Sequence, residues 1–224
     1  MPTVSVIVPG AGGGRRFGPG RKILQPLAGE PVFLRALRLF ATRDEVRQLL
    51  LVVAEADRAT IEADYAAELS ATGTVLVTGG ATRTESVRNA LAHVDAGAEL
   101  ICVHDAARPC TPPDRIDAVF AAAGDCAAAL LAVPVDATCK RVDDERRVIE
   151  TVDRIGLWAA QTPQVFAADL LRRAYRDATD ATDDAALVER LGHAVRVVPG
   201  DARNVKITTP DDLALAEAIL GAGA

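Results

Sequence analysis

The segment Val8-Pro9-Gly10-Ala11-Gly12-Gly13-Gly14-Arg15-Arg16-Phe17-Gly18-Pro19-Gly20-Arg21-Lys22 gathers residue types that bind phosphate. Glycine lets a backbone take positive φ and approach a ligand closely, so that its N–H groups converge on an anion. Arg15, Arg16, Arg21 and Lys22 bring positive charge to the same loop. Together they form a loop suited to a polyphosphate. A flexible surface loop would explain the glycines, but not their position directly after the apolar run Val4–Val8.

Two familiar phosphate loops do not fit. Gly18-Pro19-Gly20-Arg21-Lys22-Ile23 lacks the spacing and the Ser or Thr of a P-loop. A dinucleotide fingerprint begun at Gly10 and Gly12 places Arg15 where its third glycine belongs. An NAD-dependent oxidoreductase, which Glu55 after the second strand would otherwise invite, is therefore disfavoured. Of 25 basic residues only three are lysines, Lys22, Lys140 and Lys206. A lysine is a mobile point charge, suited to a phosphorus centre whose oxygens rearrange. Lys140 reads as a solvated strand charge. Cys102, Cys110, Cys126 and Cys139 show no close pair of metal-ligand spacing, and His93, His104 and His193 are dispersed. His104, just after a strand, reads as a hydrogen-bonding scaffold residue.

These residues need elements to position them. Val4–Val8, Leu49–Val53, Thr74–Val77, Leu100–Val103, Ala128–Val135 and Val195–Val198 read as strands. Pro31–Ala41 and Arg83–Val94 carry a helical period. Thr111 before Pro112-Pro113, and Thr209 before Pro210, read as N-caps, and Asp183-Asp184 reads as a helix start after Thr182. The alternation predicts an α/β fold: a single doubly wound, mostly parallel sheet over residues 1–224. In such sheets ligands bind beyond the carboxyl ends of the strands. The glycine loop, Thr78-Gly79-Gly80 and His104-Asp105-Ala106-Ala107-Arg108 all follow strands and should converge there. Cys139–Val142 and Arg147–Val152, around Asp143-Asp144-Glu145-Arg146, form a β-hairpin pattern with little apolar face of its own. An isolated hairpin is marginal in water, so this arm should lean on something else, a partner subunit being one candidate.

Half of the 224 residues are hydrophobic, yet no apolar run approaches the ~18 residues of a membrane span. No export signal is evident, and a cytoplasmic location is expected. A formal net charge of −6 argues against a nucleic-acid or anionic-membrane surface.

Six motifs occur in order: Pro9-Gly10-Ala11-Gly12 with Arg16 and Lys22; Gly79-Gly80 with Arg83 and Ser86-Val87; His104-Asp105-Ala106-Ala107-Arg108-Pro109; Val152-Asp153-Arg154 with Gly156-Leu157-Trp158; Gln161-Thr162-Pro163-Gln164; and Asn204-Val205-Lys206-Ile207-Thr208. Spread over nearly the whole chain, they resemble the 2-C-methyl-D-erythritol 4-phosphate cytidylyltransferase family, of nucleotide-diphospho-sugar transferase-like fold. The resemblance implies a homodimer that joins CTP to methylerythritol phosphate with Mg²⁺, releasing pyrophosphate. It implies that Arg16, Lys22 and Lys206 are catalytic, and that Gly10, Ala11, Gly12, Gly14, Gly80, Ser86 and Asp105 bind CTP. Asp105, Arg108, Thr138, Arg154, Thr162 and Lys206 would meet the acceptor, Thr138 and Arg154 reaching the neighbouring subunit's site on the 137–158 arm. No protein metal site is implied, because the CTP phosphates would hold Mg²⁺. The glycine run, costly to order, is expected to close on the nucleotide.

The sequence departs from the family pattern at Gly10, where alanine is usual, at Arg21, where proline is common, and at Ala81, often polar. Two other readings share the nucleotide loop. A cytidylyltransferase for another polyol phosphate, such as ribitol 5-phosphate, would differ around the acceptor. A non-catalytic CTP-binding regulator would lack the cations Arg16, Lys22 and Lys206 that this chain has.

Overall fold

The computed structural model describes residues 2–12, 17 and 21–222. Strand β1 (Val4–Pro9) leads to a short ribbon, β2 (Pro26–Leu27) and β3 (Glu30–Pro31), and then to α1 (Val32–Ala41). Next come β4 (Val46–Val53), α2 (Glu55–Asp64), α3 (Ala66–Ala71), β5 (Thr74–Thr78) and α4 (Arg83–Leu91). The middle of the chain forms β6 (Leu100–Val103), α5 (Pro113–Cys126) and β7 (Ala128–Pro134). The arm, β8 (Cys139–Val142) and β9 (Val148–Val152), precedes β10 (Trp158–Ala167), α6 (Ala168–Arg176) and α7 (Asp184–Glu189). Strand β11 (Arg196–Pro199) and helix α8 (Pro210–Gly221) follow.

Seven strands form one sheet in the order β11-β7-β10-β6-β1-β4-β5. All neighbours are parallel except β10, which runs antiparallel to both β6 and β7. Side chains alternate across a strand, and here both faces are covered. Val4, Val6 and Val8 of β1 pack with Phe33, Leu37 and Phe40 of α1 and with Ile116 and Phe120 of α5. Ile7 points the other way, into a cluster with Val87 of α4, Leu170 and Leu171 of α6, and Val188 of α7. Strand β4 divides likewise, with Leu49, Leu51 and Val53 on one face and Leu50 and Val52 on the other. Each such side chain, fully buried, contributes roughly 1.5–3 kcal/mol. The doubly wound, mostly parallel sheet expected from the alternating pattern is the observed one.

Local chemistry differs from expectation at two places, Thr111 and β10. Thr111 does not cap α5. The helix starts behind Pro112 with no side-chain cap bond, and the Thr111 hydroxyl donates instead to Asn204 Oδ1 at 2.8 Å. Two successive prolines offer no N–H to cap, which leaves the hydroxyl for a partner distant in sequence. Asp183-Asp184 starts α7 as expected, with the Asp183 carboxylate accepting from the Ala186 amide at 3.0 Å. Strand β10 was not apparent in the sequence. Gln161-Thr162-Pro163-Gln164 interrupts its apolar pattern, and the register with β7 shifts between Ala160 and Gln164. The Thr209 cap is as expected: Thr209 and Asp212 form a reciprocal capping box at α8.

The arm forms a separate two-stranded antiparallel sheet. Its turn is held by Asp143, whose carboxylate accepts from the Glu145 and Arg147 amides. Val148, Ile149 and Ile155 are 62%, 61% and 87% exposed, so the arm buries little of its own apolar surface.

Candidate active site

The carboxyl ends of β1, β5 and β6 open onto one pocket, lined by Ala11 and Gly12 after β1, Gly80 to Arg83 and Ser86 around the start of α4, and Asp105 and Ala107 after β6. Lys22, Ile23 and Lys206 complete the lining. The three polar clusters expected to converge do so. Of the residues singled out in the sequence, Ala11, Gly12, Lys22, Gly80, Ser86, Asp105 and Lys206 line this pocket. Gly10 is buried just beneath it, and its amide donates to the Val52 carbonyl at 2.7 Å. Gly14 and Arg16, with most of the loop expected to close on a nucleotide, lie outside the described residues.

The Gly79–Ala81 turn is shaped from within. Ser86 donates to the Thr82 carbonyl at 2.8 Å and accepts from the Gly80 amide at 3.1 Å, while Glu85 accepts from the Ala81 amide at 2.7 Å. The close approach requires glycine. A Cβ at Gly79 would lie 2.4 Å from the Ala11 Cβ, and one at Gly80 would lie 2.4 Å from the Glu85 Cβ. Gly79, absent from the residues expected to bind, is thus what lets the ends of β1 and β5 meet.

Asp105 is the centre of charge. Its Oδ2 sits 2.6 Å from Lys206 Nζ and 3.9 Å from Arg108 Nε, and its Oδ1 sits 3.3 Å from Arg83 Nε. Burial by itself would raise the Asp105 carboxyl, but Arg83, Lys206 and Arg108 outweigh it and hold the group well below the usual carboxylate range. Burial lowers Arg108, which also donates to the Asn204 carbonyl at 2.6 Å. Asn204 in turn donates to the Thr162 carbonyl at 2.8 Å. The stretch that delivers Lys206 is tied to the sheet as well, through the Ile207 amide and the Ala107 carbonyl at 2.8 Å.

His104 and Thr162 lie behind Asp105. The Asp105 amide donates to Thr162 Oγ1 at 3.0 Å, and Thr162 is 3.3 Å from His104 Nδ1. His104 Nε2 is 2.9 Å from the Arg108 carbonyl, which can only accept, so the ring carries its proton on Nε2. Burial pushes the imidazole down to about 4, so it is neutral near pH 7. The scaffold reading of His104 stands on these bonds. Thr162 is buried, and its hydroxyl is engaged in holding Asp105. Thr138 and Arg154 sit exposed on and beside the arm, and neither lines the pocket.

Arg83 was quoted in a motif but given no role. It lines the pocket and bridges Asp105 to Asp184, the latter at 2.7 Å. The available signal was its position: a cation in the first turn opposes the helix dipole, so it needs a local reason. Arg21, where the family pattern has proline, pairs with buried Asp57 at 2.8 Å and so anchors the residue before Lys22. Among the described residues no group of three or more His, Cys, Asp or Glu side chains could hold a metal ion, and no helix is long and apolar enough to cross a membrane. Asp105 is the one carboxylate lining the pocket among the described residues.

Residues 4–222 match the family described as 2-C-methyl-D-erythritol 4-phosphate cytidylyltransferase. A protein of that name from Rhodopirellula baltica is 46% identical, the match covering 97% of this chain and 95% of the relative. One from Symbiobacterium thermophilum is 44% identical, with 97% and 92% covered. The crystal structure of 2-C-methyl-D-erythritol 4-phosphate cytidylyltransferase from Thermus thermophilus superposes with a TM-score of 0.80 at 33% identity, covering 97% of this chain and 98% of that one.

Proposed function

The chain belongs to the 2-C-methyl-D-erythritol 4-phosphate cytidylyltransferase family, and on that premise we propose how its residues carry the reaction. The enzyme transfers CMP from CTP to the phosphate of 2-C-methyl-D-erythritol 4-phosphate, giving 4-diphosphocytidyl-2-C-methyl-D-erythritol and pyrophosphate. An acceptor phosphate oxygen attacks the α-phosphorus of CTP. That O–P bond forms as the bond to the bridging oxygen of pyrophosphate breaks. A phosphate monoester is already largely anionic near pH 7, so no protein nucleophile or strong base is needed. The work is to bring two anions together and to stabilise the charge that develops.

The observation that carries this reading is the cation set around one carboxylate, Lys206, Arg83 and Arg108 about Asp105, with Lys22 lining the same pocket. Lys22, with Arg16 from the same loop, would grip the triphosphate. Lys206 and Arg108 would take the acceptor phosphate, and Asp105 would keep these cations in place before substrate arrives and meet the ribose or the acceptor. Ala11, Gly12, Gly14 and the Gly79–Ala81 turn would enclose the nucleotide. The Gly80 and Ala81 amides are consumed inside that turn, so the base would be read by backbone carbonyls, which suit the exocyclic amine of cytosine. Thr162 acts from beneath, by fixing Asp105.

Mg²⁺ would ride on the substrate, held mainly by the CTP phosphates with water completing its shell. Among the described residues the pocket's one carboxylate, Asp105, is already paired with Arg83 and Lys206. When bound, the ion would neutralise phosphate charge. The acceptor half of the site is completed by a second copy in a cytoplasmic homodimer, the 137–158 arm carrying Thr138 and Arg154 across. The exposed apolar residues of the arm support that reading.

Pyrophosphate release from CTP and Mg²⁺, with methylerythritol 4-phosphate and ribitol 5-phosphate offered separately, tests the assignment. Release with the former alone is expected. Release with the latter alone would keep the mechanism and move the acceptor, and silence with both would overturn the enzymatic reading.

A further inference from the structure

We infer that Arg83, anchored by Asp184, is a positioning residue for the transfer: it occupies one oxygen of Asp105 so that this carboxylate does not fully capture Lys206. The inference rests on the reading that this pocket performs cytidylyl transfer.

The arrangement is specific. Arg83 Nη2 lies 2.7 Å from Asp184 Oδ2, and its Nε lies 3.3 Å from Asp105 Oδ1, so one planar guanidinium spans two carboxylates. Asp184 is completely buried, and its other oxygen accepts from the Tyr175 hydroxyl. A buried carboxylate is costly unless every partner is in place, and these partners are. Burial would lower Arg83, but Asp184 and Asp105 outweigh it and keep the guanidinium charged.

The anchor is itself fixed. Gln164 donates to Asp183 at 2.9 Å and accepts from the Ala185 amide at 2.9 Å, which sets the turn that delivers Asp184. Gln164 belongs to β10, as does Thr162, which holds the Asp105 amide. One strand therefore places both ends of the Arg83 bridge. The consequence falls on Lys206. With Oδ1 taken by Arg83, Lys206 meets only Oδ2, and an ammonium has three donors. Its remaining donors can turn to an incoming phosphate. Without Arg83, Asp105 can rotate its full charge onto Lys206 and Arg108.

A double-mutant cycle on the full-length protein tests this, with pyrophosphate release as readout and thermal unfolding measured beside it. R83Q should lower kcat by about 10²-fold in the wild-type background. In the D105N background, where there is no carboxylate to restrain, it should cost less than about threefold further. R83K, which keeps the charge but not the fork, should recover only part of the loss. If R83Q does not fold, Y175F, which alters only the Asp184 contact, carries the same cycle with a smaller expected loss of about threefold to tenfold. Equal fold-losses in both backgrounds would overturn the inference and leave the transferase reading intact. A wild-type protein that binds CTP but releases no pyrophosphate with either acceptor would overturn both.

Discussion

The pocket at the strand ends and the arm beyond it are built in opposite ways. In the pocket Asp105 answers to three cations, Arg83 to two carboxylates, and the Gly80 and Ala81 amides to side chains of α4. The arm has a well-bonded polar turn but leaves Val148, Ile149 and Ile155 mostly in water. A preorganised charge cluster is what phosphoryl chemistry requires, because its cations need not reorganise as charge develops. A two-stranded ribbon with bare apolar residues is marginal alone and gains stability by burying them against something else. On the proposed reading, the described nucleotide residues belong to one chain, whereas the acceptor half assigned to the arm would take a second.

Perturbing the pocket should give the largest effects. Lys22→Ala should reduce the rate of pyrophosphate release by about 10²–10³-fold with the circular dichroism spectrum unchanged. A loss below tenfold would remove Lys22 from the triphosphate. Gly79→Ala should weaken CTP binding by roughly tenfold, since the added methyl must push Ala11 away; isothermal titration with CTP reads this directly. A wild-type dissociation constant would mean that the strand-end contact does not shape the nucleotide site.

The scaffold beneath the pocket carries a pH signature. Burial lowers His104 from 6.5 to about 4. Between those values the unfolded chain binds a proton that the folded chain does not, so stability should fall as pH drops from 6.5 towards 4, by up to about 3 kcal/mol. Urea unfolding across that range should show the slope in the wild type and a clear reduction in His104→Gln. Identical slopes would show that the imidazole is not held neutral. The smallest effect is expected at Thr209→Ala, which removes half of the α8 capping box. It should cost about 1 kcal/mol, or roughly 2–4 °C in Tm, without changing kcat.

What could be read in the sequence follows the same physical division. Strand β6 was legible to the residue, because Leu100–Val103 is an unbroken apolar run buried on both faces. The glycine loop, the Gly79-Gly80 turn and Asp105 were legible because unusual residues follow such runs directly. Strand β10 was not, since Gln161, Thr162 and Gln164 are polar side chains turned inward to hold Asp105, Asn204 and the start of α7. Arg83 stood in a motif without a role because its partners, Asp105 and Asp184, lie 22 and 101 residues away. Local pattern reveals period and capping, but a buried polar network is a property of the packed chain. Thr111 illustrates the difference in one residue: a local cap by sequence, a tether to Asn204 in the fold.

The proposed division between a nucleotide pocket on one chain and an arm that serves its neighbour is tested most directly by subunit mixing. Lys22→Ala and Arg154→Ala variants, each nearly inactive alone, would be combined, dissociated and reassociated before pyrophosphate release is measured. If the arm completes the neighbouring site, mixing should restore roughly a quarter of wild-type activity, because half of randomly paired dimers are mixed and each holds one intact site. No gain over the separate variants, from protein shown to have exchanged subunits, would contradict the account and leave the arm without a part in the acceptor site.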